Sequence, residues 1–480
     1  MNVRLLSSVL AAVFATLVPA HAADAPAKPN IVLIFVDNLG NGDLRCFNPA
    51  TLHRTPNIDR MAAEGTKFTS FYVASGVCTP SRAALMTGCY PRRVDMHVSD
   101  KNAVVLQPVA RKGLHPDETT IAETLKAAGY ATGIFGKWHL GDQPPFLPTR
   151  QGFDEWFGIP YSDDMTKDKR PAEWPELPLM RGEKVIEAPV DRNFLVKRTT
   201  EEVIAFIGRN QSRPFFAYVP HTMPGSTPHP FSSPAFRGKS ANGDYGDSVE
   251  DLDWSAGEII AALTRLGLDD RTLVIFTSDN GAVQRNPPQG SSAPYRGFGY
   301  GTSEGAMRMP CVMRWPGKIP AGTVQDALCS TMDLLPTFAQ LASAPLPAKP
   351  IDGRDIRPIL FTEPGAKSHW DDDGFGYYRG GQLQAVRAGQ WKFYLPLETK
   401  LINATTTSPK PVPPELFDVR HDVHEDHEVS AQHPEVVKRL TALGEKMRAE
   451  IGDMEKPGAG QRAAGWVENP QPLPPGGNGE

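Results

Sequence analysis

The sequence predicts an α/β fold, a large, mostly parallel sheet sandwiched by helices, followed by a smaller C-terminal antiparallel sheet plus one helix. Three observations carry this expectation. Through the first two-thirds of the 480 residues, short β-branched runs alternate with helix-period segments, the pattern of a parallel sheet covered on both faces. Near residue 365 the texture changes to brief strand-like runs separated by glycines, the spacing of antiparallel hairpins. The chain is also longer than one hydrophobic core usually organises. The expected boundaries are a leader at 1–22, a main domain at 26–365, an α+β subdomain at 366–455 and a Pro/Gly-rich tail at 456–480.

Taken in order, the chain opens with Arg4, an apolar stretch Leu5 to Val18 and the small residues Ala20-His21-Ala22. That is the three-part pattern of a cleaved secretory leader, which places the mature protein in the periplasm or outside the cell. The stretch is shorter than the ~20 apolar residues a membrane span needs, and no later segment is long enough either. Asn30 to Val36 reads as a strand buried on both faces and ends at Asp37-Asn38-Leu39-Gly40. Helical patterns follow at Asn57 to Glu64 and at Thr119 to Ala128, the latter closed by Gly129, then an apolar run at Tyr130 to Phe135. Thr199 to Arg209 reads as helix, Phe215 to Val219 as strand, Ser248 to Leu266 as a long amphipathic helix and Thr272 to Thr277 as strand. In the C-terminal part, Phe375 to Tyr378, Gln382 to Ala388 and Trp391 to Leu395 read as strands and Pro434 to Ile451 as helix. From Lys456 the Pro and Gly content predicts disorder.

A formal net charge of −5 with no long basic run leaves no electrostatic footprint for nucleic acid or an anionic membrane. A small-molecule or sugar substrate fits better. Five cysteines, Cys46, Cys78, Cys89, Cys311 and Cys329, are too few and scattered for a disulfide scaffold.

Two acidic motifs stand in equivalent places, Asp37-Asn38 after the first strand and Asp279-Asn280-Gly281 after the strand Thr272 to Thr277. Ligands of an open α/β sheet collect beyond the carboxyl ends of its strands, so the two motifs can converge. Two carboxylates and two amide carbonyls form an oxygen-only set suited to calcium or magnesium. Each Asp-Asn pair taken alone also suits a turn or helix cap.

The segment Ser75-Gly-Val-Cys78-Thr79-Pro80-Ser81-Arg82-Ala-Ala-Leu-Met-Thr87-Gly88 is the most informative. Pro80 suits the first turn of a helix, which puts residue 78 beside amide donors that favour an anion. Cys-x-Pro-Ser-Arg followed by an apolar helix ending in Thr-Gly resembles the signature of the type I, formylglycine-dependent sulfatases, in which that cysteine is oxidised to formylglycine by a dedicated maturation enzyme. Further stretches are similar to sulfatase landmarks in family order: Thr55 to Arg60, Gly136-Lys137-Trp138-His139-Leu140-Gly141, Gly152 to Glu155, Phe276 to Gly281, Arg314 to Gly317 and Glu415 to Asp418. The resemblance extends to about Asp453 and looks nearest to the arylsulfatase and N-acetylgalactosamine-6-sulfatase group.

The resemblance implies an alkaline phosphatase-like fold and an enzyme that cleaves an aryl or carbohydrate sulfate ester. It assigns Asp37, Asn38, Asp279, Asn280 and the modified residue 78 to one Ca2+. Arg82 is expected to stabilise the nucleophile and the sulfate charge, Lys137 to hold a sulfate oxygen and His139 to act as a base. The implied mechanism is covalent: a hydroxyl of the hydrated aldehyde attacks sulfur, an acid helps the alcohol leave, and a base lets sulfate depart as the aldehyde re-forms. His221 is the candidate acid.

Three departures from the family pattern bear on these expectations. Asn38 stands where relatives often have a second aspartate. Many relatives carry a histidine four residues after His221, where this chain has Gly225, with His229 displaced by four more. The stretch Pro294 to Arg308 lacks the lysine that binds sulfate in many sulfatases; Gly299 or Tyr300 takes its place, with Arg296 as a candidate substitute on the substrate side. Two alternative functions follow: a phosphomonoester or phosphonate hydrolase of the same superfamily, and a catalytically weak protein that binds sulfated glycans.

Overall fold

The computed structural model describes residues 28–473; the leader expected at 1–22 lies outside them. In chain order the principal elements are β1 (Asn30–Val36), α1 (Pro56–Glu64), β2 (Thr66–Tyr72), α2 (Cys78–Thr87), β3 (Lys112–Gly113), α3 (Ile121–Ala127), β4 (Ala131–Phe135), β5 (Glu155–Gly158), β6 (Leu179–Arg181), β7 (Lys184–Glu187), α4 (Leu195–Arg209), β8 (Phe215–Val219), α5 (Gly243–Arg265), β9 (Thr272–Ser278), β10 (Arg308–Arg314), β11 (Thr323–Gln325) and β12 (Cys329–Ser330). They build one eleven-stranded sheet in the order β11-β2-β10-β9-β1-β8-β4-β5-β6-β7, with β12 alongside β2. Strands β9, β1, β8, β4 and β5 run parallel. β10 is antiparallel to both of its neighbours, and β6 and β7 close the far edge as a hairpin.

The continuous apolar run of β1 has its reason in this position, at the middle of the sheet. Side chains alternate across a strand, so Ile31, Leu33 and Phe35 enter one core with Ala83 and Leu85 of α2 and Ile121 and Leu125 of α3. Val32, Ile34 and Val36 enter the opposite core with Val203 and Phe206 of α4 and Val249 and Leu252 of α5. Both faces are therefore dry, as the composition of the strand predicts. Asp253 of α5 caps α1 from outside: its Oδ1 accepts from the amides of Asn57 at 3.0 Å and Ile58 at 2.8 Å, donors that the preceding Thr55 leaves uncapped.

The C-terminal sheet is antiparallel, in the order β13 (Phe375–Arg379), β14 (Gln382–Ala388), β15 (Trp391–Tyr394) and β16 (Glu415–Asp418), with the helix Pro434–Ile451 against it. It shares one apolar cluster with the main domain, in which Tyr72, Ala84 and Met307 meet Phe375, Tyr377 and Leu416. A buried carboxylate ties the two sheets together. Glu304 accepts from the Tyr72 and Tyr377 hydroxyls, lies 3.0 Å from Lys392 Nζ and 3.4 Å from Arg308, and has Arg387 at 3.8 Å.

Strands β2 and β10 and the β6–β7 hairpin were not expected from the sequence. In β10 the physical reason is Pro310, which lacks a ladder donor and argues against a strand; the structure accommodates it at a register shift between Met309 and Cys311. The tail is the second difference. The chain from 456 is placed through 473 and packs on the main domain, where Gly465–Trp466 pairs antiparallel with β3. Arg462 donates two 2.8 Å bonds to Glu118, and Gln471 exchanges bonds of 2.8 and 3.0 Å with Gln143. Its composition cannot form a core of its own, but it finds an edge and ion-pair partners on a core already built. All five cysteines are free thiols.

Candidate active site

The site lies where the carboxyl ends of β9, β1, β8, β4 and β5 meet the start of α2. Parallel register pairs Val36 with Ser278, which sets the next residues, Asp37 and Asp279, side by side. The Asp279 amide donates to the Val36 carbonyl at 3.0 Å, and the Asn38 amide to Asp279 Oδ1 at 3.0 Å. Asn38 adopts a φ of +63°, a conformation Asn tolerates better than most residues. That turn brings its Oδ1 to the Asn280 amide and its Nδ2 to Asp37 Oδ2 and Ser226 Oγ, both at 3.2 Å.

Helix α2 starts at Cys78 itself and ends at Gly88, whose φ of +67° closes it. Its N-cap, Val77, supplies no side-chain acceptor, so the first-turn amides are not capped by a side chain. The possible ligand atoms of Asp37, Cys78 and Asp279 all lie within 4.8 Å of one another. Cys78 Sγ is 3.7 Å from Asn280 Oδ1 and 4.0 Å from Asn38 Oδ1. The five residues read from the sequence as metal ligands are thus gathered in one buried cluster.

Two cations complete it. Arg82 Nη2 donates to Asp37 Oδ1 at 2.9 Å and Asp279 Oδ2 at 2.7 Å, and Lys137 Nζ to Asp37 Oδ1 at 2.7 Å and Ser162 Oγ at 3.2 Å. Burial works against the Asp37 charge, but Lys137 and Arg82 outweigh it and hold the carboxyl well below the usual range. Burial and then the Asp37 charge push Asp279 up. Burial, then Asp279 and Asp37, raise the Cys78 thiol well above its ordinary value. An unmodified Cys78 therefore stays protonated and is a poor nucleophile.

His139 is buried, with its backbone at a φ of +62°. Burial and then Lys137 push its imidazole well below the ordinary range, so the ring is neutral. Nε2 lies 2.9 Å from the Leu106 carbonyl, an acceptor, which places the hydrogen on Nε2. Nδ1 is then a buried lone pair without a partner among the described residues.

The remaining expected residues are not in the cluster. His221 is buried, but its Nε2 meets Ser255 Oγ of α5 at 3.0 Å rather than a cluster residue; burial alone pushes it down to about 3. The chain after β8 is held along Asp37 by bonds from the Asp37 amide to the Met223 carbonyl and from the Gly225 amide to the Asp37 carbonyl. This anchoring brings Gly225 to the cluster. His229 is exposed and paired with Asp244 at 3.0 Å. Arg296 pairs with Glu425 at 3.4 Å and lines a neighbouring cavity rather than replacing the missing lysine. Of the two residues read at the position of that lysine, Gly299 abuts Asn280, and Tyr300 has its hydroxyl 2.6 Å from Ser226 Oγ and its phenol pushed up by burial and then by Cys78.

Sequence reasoning missed Ser162 and Asp163. Asp163 is buried, and neither carboxylate oxygen has a partner; burial, then Asp164 and Asp37, push it up to about 7. A side chain on Gly225 would start 2.9 Å from Asp163 Oδ1 and 3.7 Å from Asp37 Oδ2, which locates Asp163 against the cluster around Asp37. The available signal was position: both residues stand just beyond the carboxyl end of β5, a strand that the sequence pattern does not declare.

Comparison with known proteins accords with this geometry. A sulfatase family model matches residues 29–344, and a model of the N-sulphoglucosamine sulphohydrolase C-terminal region matches 300–451. The chain is 40% identical to the mouse N-acetylgalactosamine-6-sulfatase over 78% of this chain and 73% of that protein. It is 34% identical to the mouse steryl-sulfatase over 93% and 87%. Among solved structures, a sulfatase of glycosaminoglycan metabolism from Bacteroides thetaiotaomicron superposes with a TM-score of 0.72 at 30% identity, covering 88% of this chain and 99% of that one. With the family model spanning most of the chain and these relatives matching in sequence and fold, the protein belongs to the sulfatase family and is an enzyme of sulfate-ester hydrolysis.

Proposed function

We propose that the protein is an exported sulfatase that cleaves an aryl or carbohydrate sulfate ester with residue 78 in its formylglycine form and one Ca2+. The observation that carries this reading is the convergence on residue 78 of two carboxylates, two amide oxygens and two buried cations from four separate segments, the ends of β1, β9 and β4 and the first turns of α2. The donor set fits the ion: all oxygens beside residue 78, two of them charged, which suits calcium more than a soft metal. Asp37, Asp279, Asn38 and Asn280 would hold it, and it would supply positive charge to the sulfate oxygens. The hydrated aldehyde would supply one hydroxyl as nucleophile, and loss of the proton from the other would re-form the aldehyde and expel sulfate, an elimination that a thiol, with no second hydroxyl, cannot undergo.

The chain's own groups have definite tasks in this reading. Lys137 and Arg82 keep Asp37 ionised and present positive charge where the sulfate oxygens develop negative charge. Nδ1 of His139 accepts the proton whose loss releases sulfate. His221 is not proposed as the acid, since it faces Ser255. Export by the N-terminal leader, and modification of Cys78 by a formylglycine-generating partner, belong to the same proposal. Among the described residues no helix is long and apolar enough to cross a membrane.

One specific observation favours a second reading, a slow enzyme that chiefly binds sulfated glycans. Gly225 and Tyr300 leave two places in the pocket without the cationic groups that the family pattern carries there. Removing one donor to a developing anion costs about 3–4 kcal/mol of transition-state stabilisation. The deciding experiment measures the mass of the residue-78 peptide in protein co-produced with a formylglycine-generating system, and assays aryl sulfate hydrolysis with and without calcium. An aldehyde mass with calcium-dependent turnover that Cys78→Ala abolishes supports the first reading. Complete conversion without turnover on a panel of sulfated sugars supports the second.

A further inference from the structure

A cavity of about 490 Å³ opens between the main domain and the C-terminal sheet, next to the cluster but outside it. Tyr300 forms the partition: it lines the cavity, while its hydroxyl bonds Ser226, which in turn accepts from the Asn38 side-chain amide beside residue 78. Three cations line the cavity, Arg296, Arg379 and Lys400, against one carboxylate, Glu415. Arg296 is paired with Glu425; among the described residues the other two make no ion pair.

Arg379 is the unusual group. It is only 6% exposed, its Nε donates to the Ile402 carbonyl at 2.9 Å, and its Nη1 is buried with no partner. Burial lowers its pKa to about 10, a measure of how poorly the protein alone compensates the charge. Lys400 is half-buried beside it in the lining; burial, then Lys392, push it down. A buried guanidinium with an unused donor is costly unless an anion completes it, and a planar fork is suited to carboxylate or sulfate.

We propose that this cavity is a subsite for a second anionic group, carboxylate or sulfate, on a sulfated saccharide whose scissile ester lies at residue 78, with Arg379 and Lys400 as its anion-binding residues. The inference rests on the sulfatase reading and narrows its substrate to acidic saccharides. Tyr300 then has a task that the missing lysine could not perform: it separates the reacting sulfate from the recognised one.

The test compares the mature enzyme with Arg379→Gln and Lys400→Gln on three substrates. These are a neutral aryl sulfate, a monosulfated disaccharide carrying a uronate, and a disulfated disaccharide without one. Each variant is expected to lose at least tenfold in kcat/KM on an acidic saccharide relative to the aryl sulfate, mainly through KM; which saccharide suffers identifies the anion. Arg379→Lys, keeping the charge, should recover part of the loss. Equal loss on all three substrates, or no loss on either saccharide, overturns the subsite. Should the wild type turn over none of them, binding of the same saccharides by calorimetry decides separately. Wild-type binding weakened at least tenfold in both variants upholds the subsite although the catalytic reading fails, and no wild-type binding overturns it.

Discussion

Replacing Arg82 with Met tests the electrostatic frame of the site most directly. A single nitrogen, Nη2, bridges Asp37 at 2.9 Å and Asp279 at 2.7 Å, and all three side chains are fully buried. Asp37 would keep Lys137 at 2.7 Å, but Asp279 would retain only the Asn38 amide and lose its ion pair. Breaking a buried pair from one side costs about 3–5 kcal/mol, because the remaining charge has neither water nor partner. Every 1.4 kcal/mol is a factor of about ten, so the unfolding equilibrium in chelator should shift by roughly two to three and a half orders of magnitude. Calcium changes the expectation: an ion held between Asp37 and Asp279 takes over the neutralising role, and binding only to the folded state stabilises it by mass action. Urea unfolding of wild type and Arg82→Met, in chelator and in saturating calcium, should therefore show a large loss in the first and a distinctly smaller one in the second. A loss below about 1 kcal/mol in chelator would refute the claim that Arg82 carries the carboxylate pair. The same loss in both conditions would mean that the ion does not sit between these two aspartates.

Three other expectations are independent of that one. Asn38→Asp puts a full charge where an amide dipole stands; a unit charge at 4 Å is worth about 4 kcal/mol before desolvation. Calcium-dependent thermal shifts should report roughly tenfold or more gain in affinity, and unchanged or weaker affinity would take residue 38 out of the ligand set. Glu304→Gln leaves Lys392, Arg308 and Arg387 buried around a neutral amide and should cost about 3–5 kcal/mol by denaturant unfolding; a wild-type midpoint would show that the network does not tie the sheets together. His97 is held down to about 3 by burial, then Lys112 and Arg92, while the carboxylate facing it, Asp95 at 3.5 Å, is shared with Lys112. Its folded pKa lies below the unfolded 6.5, so below that pH the unfolded chain binds the extra proton and stability falls. The loss from pH 6.5 to 4.5 should be about 2 kcal/mol, and His97→Gln should flatten that part of the stability profile; an unaltered slope would count against it.

The parts of the site that were legible from the sequence are those written locally. Asp37-Asn38 and Asp279-Asn280 each follow directly on an apolar strand, so their place at a sheet edge can be read without a structure. The run from Cys78 to Gly88 carries its own helix start and stop. The landmark segments between and beyond them suffice for the family. Helix and strand ends such as Asn30–Val36, Phe215–Val219 and Pro434–Ile451 were equally readable, because periodicity and bounding residues agree there.

What the tertiary structure decided is where side chains point once distant segments compete for the same space. His221 lies at the carboxyl end of a central strand and has suitable chemistry, yet the bonds between Asp37 and the 223–225 turn rotate it toward Ser255 and put Gly225 at the cluster. Asp163 carries no motif; it matters because β5 ends beside β4 and leaves both its oxygens unpartnered against Asp37. Arg379 and Lys400 are ordinary cations in sequence and become a site only when the C-terminal sheet closes on Tyr300. The tail looked disordered because composition measures only what a segment can bury by itself, whereas residues 456–473 use a strand edge and an acid supplied by the main domain. The sequence alone determined the family, the fold class and the inner charge cluster, because strand ends and a helix start encode them locally. The orientation of the pocket's remaining groups rests on long-range packing, and no local pattern records it.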